Sequence, residues 1–230
     1  MQCPDPNRAA LIAFEDVSFA YSGAEPVLSG VQLQFDAGGF YLITGPSGSG
    51  KSTLLRLITR LEEPSAGRVL FDDQPLPAYE PTVLRRRLLN VQQTPAVIDA
   101  SVRDNLLLPF GFRANADLTR PDDDALRARL AEVKLDAVGL DENARTLSVG
   151  QQQRLCLVRG LLVSPEVMLL DEPTSALDAE SARLVTEAVG RLHRDCGLTV
   201  LLVSHTDHLP EGVTPHRVRV ADGRAAEEAP

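Results

Sequence analysis

Short apolar runs, some alternating with polar residues and some continuous, divide the first part of the chain into predicted strands and a helix. Alternation over 11–21 and over 31–35 predicts two strands, each with one buried face. The continuous apolar run 40–44 is typical of a strand that is buried on both faces. Residues 52–61 then carry apolar side chains at helical spacing, so residues 45–51 are predicted to join a strand to a helix.

The centre of the chain has a different pattern. Helical spacing dominates from about residue 82 to residue 163, and the polar, proline-containing stretch 111–124 interrupts it. A helix is predicted over 151–163. Before it, apolar residues share one helical face at Leu126, Leu130, Val133 and Ala137. The sequence therefore predicts a mostly helical insertion.

Strand signals return in the last third of the chain. Two apolar runs, 167–170 and 199–203, flank an amphipathic helix that is predicted over 179–196. The small, charged tail at 222–230 is expected to fray. These alternating elements predict an α/β fold with a helical insertion.

Composition is that of a packed soluble protein. The 230 residues are 43% hydrophobic and 24% charged, which suits one domain, or one domain with a subdomain. The apolar runs are far shorter than the roughly 20 residues that a membrane-spanning helix needs. The first residues contain no apolar stretch of the kind found in signal peptides, so neither a span nor a signal peptide is expected.

Charge and cysteine content exclude several kinds of partner and site. The net charge of −9 disfavours nucleic acid, which binds clustered basic surface, and the aromatic content of 4% disfavours base stacking. Three distant cysteines predict neither a disulfide framework nor a zinc site, and fit a reducing compartment. Lys51 and Lys134 are the only lysines, which makes a lysine in a glycine-rich segment notable.

The predicted junction between strand and helix reads GPSGSGKS, the spacing of a phosphate-binding loop. Glycines let successive backbone N–H groups point at phosphate oxygens, and the following helix adds the positive end of its dipole. Lys51 is predicted to neutralise the β- and γ-phosphates, Ser52 to bind Mg²⁺, and Thr53 to reach the α-phosphate. A chance match in a turn is the alternative, which the flanking strand and helix disfavour. The predicted ATP-binding residues are Gly45, Pro46, Ser47, Gly48, Ser49, Gly50, Lys51, Ser52 and Thr53.

A second acidic motif follows the apolar run 167–170, which ends in Asp171 and Glu172. Carboxylates at the end of a buried strand are costly unless they bind something. Beside a phosphate loop, Asp171 is predicted to hold Mg²⁺ and its water, and Glu172 to polarise the attacking water. A merely solvated acidic strand end is the alternative interpretation.

With these motifs in order, the chain resembles the ATP-binding subunits of ABC transporters over nearly its whole length. Residues 147–154, LSVGQQQR, resemble the LSGGQ signature and its helix, and Asp178 in SALD resembles the D-loop aspartate. His205 in LLVSHT resembles the switch histidine, and Gln93 in NVQQTP the Q-loop glutamine. Tyr21 in FAYSG resembles the aromatic residue that stacks on adenine.

The resemblance implies a RecA-like P-loop NTPase core with an antiparallel β subdomain and a helical subdomain. The whole chain, 1–230, would be one ABC ATPase domain. The core with its β subdomain is expected at about 11–84 and 164–221, the inserted helical subdomain at 85–163, and a tail at 222–230.

The resemblance also implies roles for single residues. Its catalytic residues would be Lys51, Gln93, Glu172 and His205, and its metal ligands Ser52, Gln93 and Asp171. Beside the phosphate loop, ATP would contact Tyr21, Ser148, Gly150 and Asp178. Three alternatives stay open: Tyr21 as a strand-edge aromatic, Gln92 rather than Gln93 at the metal, and Asp178 as a helix cap. The cap role of Asp178 is compatible with its contact to ATP. The other histidines, His193, His208 and His216, are expected at the surface.

For function, the resemblance implies an ATP-hydrolysing subunit that uses ATP and Mg²⁺ and powers a separate integral membrane permease. It would lie at the cytoplasmic face of the inner membrane, and two copies would meet head to tail around two ATP molecules. Its phosphate loop and the segment QQTPAVIDASVRDNLLLPFGFRAN look particularly like a bacterial iron-export system. Amino-acid, phosphate and lipoprotein transporters share much of this pattern. The alternative is a soluble ABC-type ATPase in a non-transport, assembly or regulatory complex.

The signature departs from the family pattern at one position. Val149 stands where the family has the first glycine of the Gly-Gly pair, while Ser148 and Gly150 are kept. A branched side chain disfavours positive φ and adds bulk beside the phosphate that this segment would contact. The substitution bears on the hydrolysis rate and on the tightness of the dimer, and less on the fold.

Overall fold

The computed structural model describes residues 10–205 and 209–228, which form two β-sheets and six α-helices. The strands are β1 (Ile12–Phe19), β2 (Leu28–Phe35), β3 (Phe40–Thr44), β4 (Ala66–Phe71), β5 (Gln74–Pro75), β6 (Leu88–Val91), β7 (Val167–Asp171), β8 (Thr199–Val203), β9 (His216–Ala221) and β10 (Arg224–Glu227). The helices are α1 (Lys51–Ile58), α2 (Pro81–Arg87), α3 (Val102–Leu107), α4 (Asp123–Glu132), α5 (Val149–Leu161) and α6 (Ala179–Cys196).

The smaller sheet is antiparallel, in the order β2-β1-β4-β5. Ile12 on β1 lies opposite Phe35 on β2 and Phe71 on β4, and all three side chains are buried. The alternating pattern of β2, with Val31, Leu33 and Phe35 buried, places one face of this sheet against the core.

The larger sheet has the order β10-β9-β3-β8-β7-β6 and is parallel from β9 to β6. Its central strands β3, β8 and β7 are almost fully buried, which explains their continuous apolar sequences. Parallel pairing brings Ile43 opposite Val203, and Val203 opposite Asp171. The carboxyl ends of these strands therefore meet at one edge of the sheet, where α/β proteins place ligands.

Three apolar clusters fix the helices. Helix α1 packs into the cluster between the two sheets, where Leu54, Leu57 and Ile58 are fully buried. Each such side chain stabilises the fold by roughly 1.5–3 kcal/mol. Helices α3, α4 and α5 share a second cluster, and α6 packs on the other face of the large sheet in a third. Within the described residues, no helix is long and apolar enough to cross a membrane.

Several predicted helix ends differ from the structure. Helix α1 ends at Ile58, and Leu61, predicted on its apolar face, is half exposed. Helix α4 ends at Glu132, so Val133 is its C-terminal cap and Ala137 is an exposed loop residue. Three residues predicted on helical faces, Leu61, Val133 and Ala137, thus lie outside the helices, because apolar loop residues can follow the helical period by chance.

Strand β6 lies inside the range 85–163 expected for the helical subdomain, yet it pairs in parallel with β7 in the large sheet. The range was expected to be mostly helical, and these four residues are a part of it that belongs to the large sheet instead. Its four residues, LLNV, form too short an apolar run for periodicity to separate a strand from a helix.

The expectation that the tail frays is wrong for Arg224–Glu227, which form β10 and pair antiparallel with β9. Asp222 and Gly223 join the two strands with φ values of 50° and 74°. Asp-Gly is the sequence signal for such a two-residue hairpin, so the turn was visible in the sequence. Strand β9 itself was also missed.

Candidate active site

The loop between β3 and α1 is shaped by glycines at positions that exclude a side chain. Gly45 has φ 145°, and a Cβ built there would lie 2.0 Å from the Val220 carbonyl oxygen on β9. Gly50 caps α1 in the left-handed region, with φ 104°, and no side chain of the described residues caps the helix. The first N–H groups of α1 therefore stay open to a ligand, as a phosphate site requires.

Lys51 is buried inside this loop, with only 5% of its surface exposed. Its Nζ donates hydrogen bonds to the carbonyl oxygens of Gly45 at 3.0 Å and Pro46 at 2.9 Å. Ser49 Oγ is also buried and has no hydrogen-bond partner among the described residues. A buried ammonium group whose described partners are carbonyl oxygens fits an anionic ligand. A buried hydroxyl without a described partner fits one as well. The loop thus fits the phosphates of ATP.

Ser52 and Asp171, the two predicted metal ligands on α1 and β7, are in contact. The Ser52 hydroxyl donates a hydrogen bond to Asp171 Oδ1 at 3.0 Å. Among the described residues, no group of three or more His, Cys, Asp and Glu side chains could hold a metal by itself. One hydroxyl and one carboxylate are the oxygen donors that Mg²⁺ takes when phosphates and water complete its shell. The donor set therefore fits Mg²⁺ bound together with ATP.

Glu172 and His205 form the next pair along the same sheet edge. His205 Nε2 lies 2.8 Å from Glu172 Oε1. Glu172 has φ 48°, and its N–H donates to the Val203 carbonyl oxygen at 3.1 Å, which ties the end of β7 to β8. A left-handed residue other than glycine costs about 1 kcal/mol or more, and such strain is concentrated at functional sites.

Tyr21 lies beside the start of α1. Its hydroxyl is 3.1 Å from Thr53 Oγ1, and Arg56 Nη1 donates to it at 3.4 Å. Its ring packs edge-on against Phe19, and the residue is 38% exposed. The structure thus places an open aromatic surface next to the phosphate loop. The sequence did not indicate a role for Arg56, because its partner Tyr21 is distant along the chain.

Ser148, Gly150 and Asp178 lie at two helix N-termini that pack together. Ser148 caps α5 in a reciprocal pair with Gln151, and Asp178 caps α6 through the Ser181 N–H at 2.9 Å. The Ser181 backbone N–H holds the pKa of Asp178 below its usual value. The helix-cap interpretation of Asp178 is therefore confirmed, and contact of these residues with ATP stays a prediction.

Gln92 and Gln93 follow β6, and both are exposed. The backbone carbonyl of Gln92 accepts a hydrogen bond from Gln153 Nε2 at 2.9 Å. A role for Gln93 at the metal stays a prediction. Of the other histidines, His216 is exposed, whereas His193 is half-buried against Phe40, and His208 lies outside the described residues.

A cavity of about 900 Å³ opens between β6, α5 and the segment that follows α3. Its walls carry four arginines and, among the described residues that line it, no carboxylate. We call it the arginine groove, defined by Arg85, Arg86, Arg113 and Arg159. A basic groove in a chain of net charge −9 predicts an acidic ligand or partner.

Comparison with known proteins identifies the family. Residues 28–175, more than half of the chain, match the family described as ABC transporter. The chain belongs to the ABC transporter family. The matched residues include the phosphate loop, the signature segment and both strand-end acids of this ABC domain.

Three relatives illustrate the range of the match. Protein STAR1 of Oryza sativa subsp. japonica is 42% identical over 79% of this chain and 51% of its own length. The methionine import ATP-binding protein MetN of Caulobacter vibrioides is 39% identical over 95% of this chain and 66% of its own. The probable iron export ATP-binding protein FetA of Escherichia coli is 34% identical over 95% and 97%. The chain thus spans about half of STAR1 and nearly all of FetA.

A solved ABC structure has the same fold. The ATP-binding cassette MJ0796, a dimer in a post-hydrolysis state bound to ADP and Pi, aligns with a TM-score of 0.78 and 29% identity. The alignment covers 94% of this chain and 97% of that one. The predicted α/β fold of the ABC-ATPase type is therefore confirmed, and the chain carries an ATP-binding ABC ATPase domain.

Proposed function

We propose that this chain hydrolyses ATP to power an ABC transporter through a separate integral membrane permease. One observation carries the proposal: at a single sheet edge, Ser52 is bonded to Asp171, and the adjoining Glu172 is paired with His205. The proposed metal ligands and the proposed general base thus lie beside the phosphate loop, which supports a role in ATP hydrolysis.

Each residue at this edge has a distinct part in the proposed reaction. The open N–H groups of α1 and the Lys51 ammonium hold the phosphates, while Tyr21 stacks on adenine. Ser52 and Asp171, with Gln93 near them, would hold Mg²⁺, which would supply neutralisation of the charge on the phosphates. Glu172 orients the attacking water and accepts its proton, and His205 fixes the carboxylate in place.

The proposed active unit contains two copies of the chain. Ser148, Gly150 and Asp178 contact the ATP held by the phosphate loop of the second copy. The dimeric structure of the MJ0796 cassette, which resembles this chain along its length, supports a dimer. Binding of ATP closes the two copies and hydrolysis opens them again, so the chemistry drives a conformational cycle.

The permease is proposed to dock in the arginine groove. Arg86 is neutralised by Asp117 at 2.8 Å, and Arg85 donates to the carbonyl oxygens of Thr59 and Arg60. Arg159, whose described contact is the Cys156 sulfur at 3.6 Å, can still bind a carboxylate. The docking segment is therefore proposed to be acidic. On this proposal the chain lies at the cytoplasmic face of the inner membrane as a peripheral protein.

For the cargo, we propose a metal ion, with iron as the first to be examined. The relative named for iron export matches this chain along almost its whole length. MetN, named for methionine import, also matches, so a transport assay must compare both cargoes and both directions.

The proposed function is tested by isolating the chain with its membrane partner. The chain is purified from detergent-solubilised membranes, bound proteins are identified, and phosphate release is measured with and without them. A membrane protein that co-purifies and stimulates hydrolysis is expected. Hydrolysis by a chain that co-purifies with no membrane protein would favour the alternative, a soluble ABC-type ATPase, and absence of hydrolysis both with and without bound proteins would refute both.

A further inference from the structure

Helices α5 and α6 meet at their amino ends through a contact that leaves no room for a side chain at Gly150. A Cβ built on the buried Gly150 would lie 2.5 Å from Ser181 Oγ and 2.6 Å from Ser181 Cβ. The Ser181 Cβ is fixed by the α6 backbone, so it cannot turn away as the end of a long side chain could. Any side chain at position 150 would therefore push the two helices apart.

This contact connects the two loops that are expected to face the second copy. Ser148 precedes Gly150 and caps α5, its Oγ accepting the Gln151 N–H at 3.3 Å. On the other side, Asp178 Oδ1 accepts the Ser181 N–H at 2.9 Å. Ser181 thus touches Gly150 with its side chain while its backbone holds Asp178. A shift at the contact would move Ser148 relative to Asp178.

Val149 provides the contrast within the same turn. Its side chain is 48% exposed, whereas its neighbour Gly150 is buried against α6. Position 149, where this chain has valine instead of the family's glycine, is therefore exposed. Position 150, where the chain has the glycine, is confined by packing against Ser181. Intrachain packing accounts for that difference without any reference to the nucleotide.

We propose that Gly150 and Ser181 are a positioning pair, which sets the separation of the Ser148 and Asp178 loops so that both reach the second copy in one closed arrangement. The proposal rests on the ATP-dependent dimer of the proposed function. Neither residue needs to move a proton; the pair acts through the geometry of the two helix caps.

The first test is Gly150→Ala. The ATP concentration for half-maximal dimerisation should rise, and hydrolysis should fall, by about tenfold or more, as overpacking at a close contact predicts. Binding of a fluorescent ATP analogue to the monomer should change by less than about twofold, since separate elements, β3 and α1, build that site. A general folding defect would weaken both.

The second test is rescue. Ser181→Gly removes the two atoms that the new Cβ would meet, so Gly150→Ala with Ser181→Gly should hydrolyse ATP within about threefold of Ser181→Gly alone. Ala182→Gly is the matched control, because it weakens the same turn of α6 and leaves Ser181 in place. A double variant no better than Gly150→Ala with Ala182→Gly would overturn the proposal.

Melting temperatures of the same variants separate this proposal from the proposed function. The decreases in melting temperature caused by Gly150→Ala and by Ser181→Gly should be strongly non-additive. This double-mutant cycle is measured without ATP. Additive losses would refute the contact itself. Coupled melting without rescue of hydrolysis would refute the positioning role, and a parent protein that neither dimerises nor hydrolyses would refute that role together with the proposed function.

Discussion

Ser52 donates a hydrogen bond to Asp171 across 3.0 Å although the two residues are 119 positions apart in the sequence. The bond joins the start of α1 to the end of β7, although β8 lies between β7 and β3, the strand that α1 follows. Because Glu172 follows Asp171 directly, the same bond fixes where Glu172, the proposed general base, lies relative to the phosphate loop.

Lys51→Ala should abolish ATP hydrolysis and weaken ATP binding. The buried ammonium is the main positive charge inside the loop, and its loss would leave the phosphates without it. Phosphate release and nucleotide binding by the purified variant check this. Lys134→Ala, which removes the other lysine from an exposed turn, is the control and should hydrolyse ATP normally. Turnover by Lys51→Ala equal to that of the parent would contradict the assignment.

Glu172→Gln should trap an ATP-bound dimer. The amide keeps the shape of the side chain but cannot accept the proton, so ATP binds and closes the two copies without being cleaved. Size-exclusion chromatography with ATP and Mg²⁺ should show a dimer, alongside phosphate release at least about a hundredfold below the parent. A variant that stays monomeric would count against the closed dimer, and one that still turns over would count against the base.

Charge reversal in the arginine groove should separate basal from stimulated hydrolysis. Arg159→Glu replaces a guanidinium that is open to a partner, so stimulation by the permease should fall while basal hydrolysis stays nearly the same. The matched control is Arg129→Glu on α4, outside the groove. Equal losses of basal and stimulated activity would mean that Arg159 supports folding or the nucleotide site instead.

Val149→Gly should lower stability slightly without raising the hydrolysis rate. The side chain is half exposed at the first residue of α5, and glycine there costs roughly 0.5–1 kcal/mol in backbone entropy. The melting temperature and phosphate release are measured on one preparation. A several-fold gain in rate would show that Val149 holds the signature segment away from phosphate.

Asp178→Ala should destabilise the chain near neutral pH, and less so in acid. The pKa of Asp178 is lowered by the Ser181 backbone N–H, so its ionised form stabilises the fold above the pKa of the unfolded chain. That contribution is lost as the pH falls through the lowered, folded-state pKa. Melting curves of parent and variant from neutral to acidic pH should converge; a constant difference would exclude the carboxylate as the cap.

The sequence predicted the centre of the fold well because the relevant signals are local. The ends of β3, α6 and β8 match the predicted ranges, since each is a continuous apolar run or a long amphipathic period. Strand β6, at one edge of the large sheet, was missed because four residues are too few to separate a strand from a helix. Strand β9, between β10 and β3, was missed although Val218 and Val220 alternate with polar residues. Where residues close together in the sequence determine the local conformation, the sequence alone was sufficient to predict the element.

The site was predictable as a set of residues but not as a geometry. Motif spacing identified Lys51 and Glu172, whereas Arg56 on Tyr21 and Ser181 against Gly150 depend on contacts between distant segments. Periodicity and spacing do not encode which helices touch. Such partners become visible only when the sheet order and the packing of α5 on α6 are known.

The close approach of Gly45 to Val220 has a consequence for biosynthesis. The carbonyl that closes the back of the phosphate loop belongs to β9, which leaves the ribosome long after β3 and α1. A nascent chain in which the GPSGSGKS segment has been synthesised still lacks β9, which packs against that segment. We therefore expect the capacity to bind ATP to be acquired late in translation, and products truncated before β9 to bind no nucleotide.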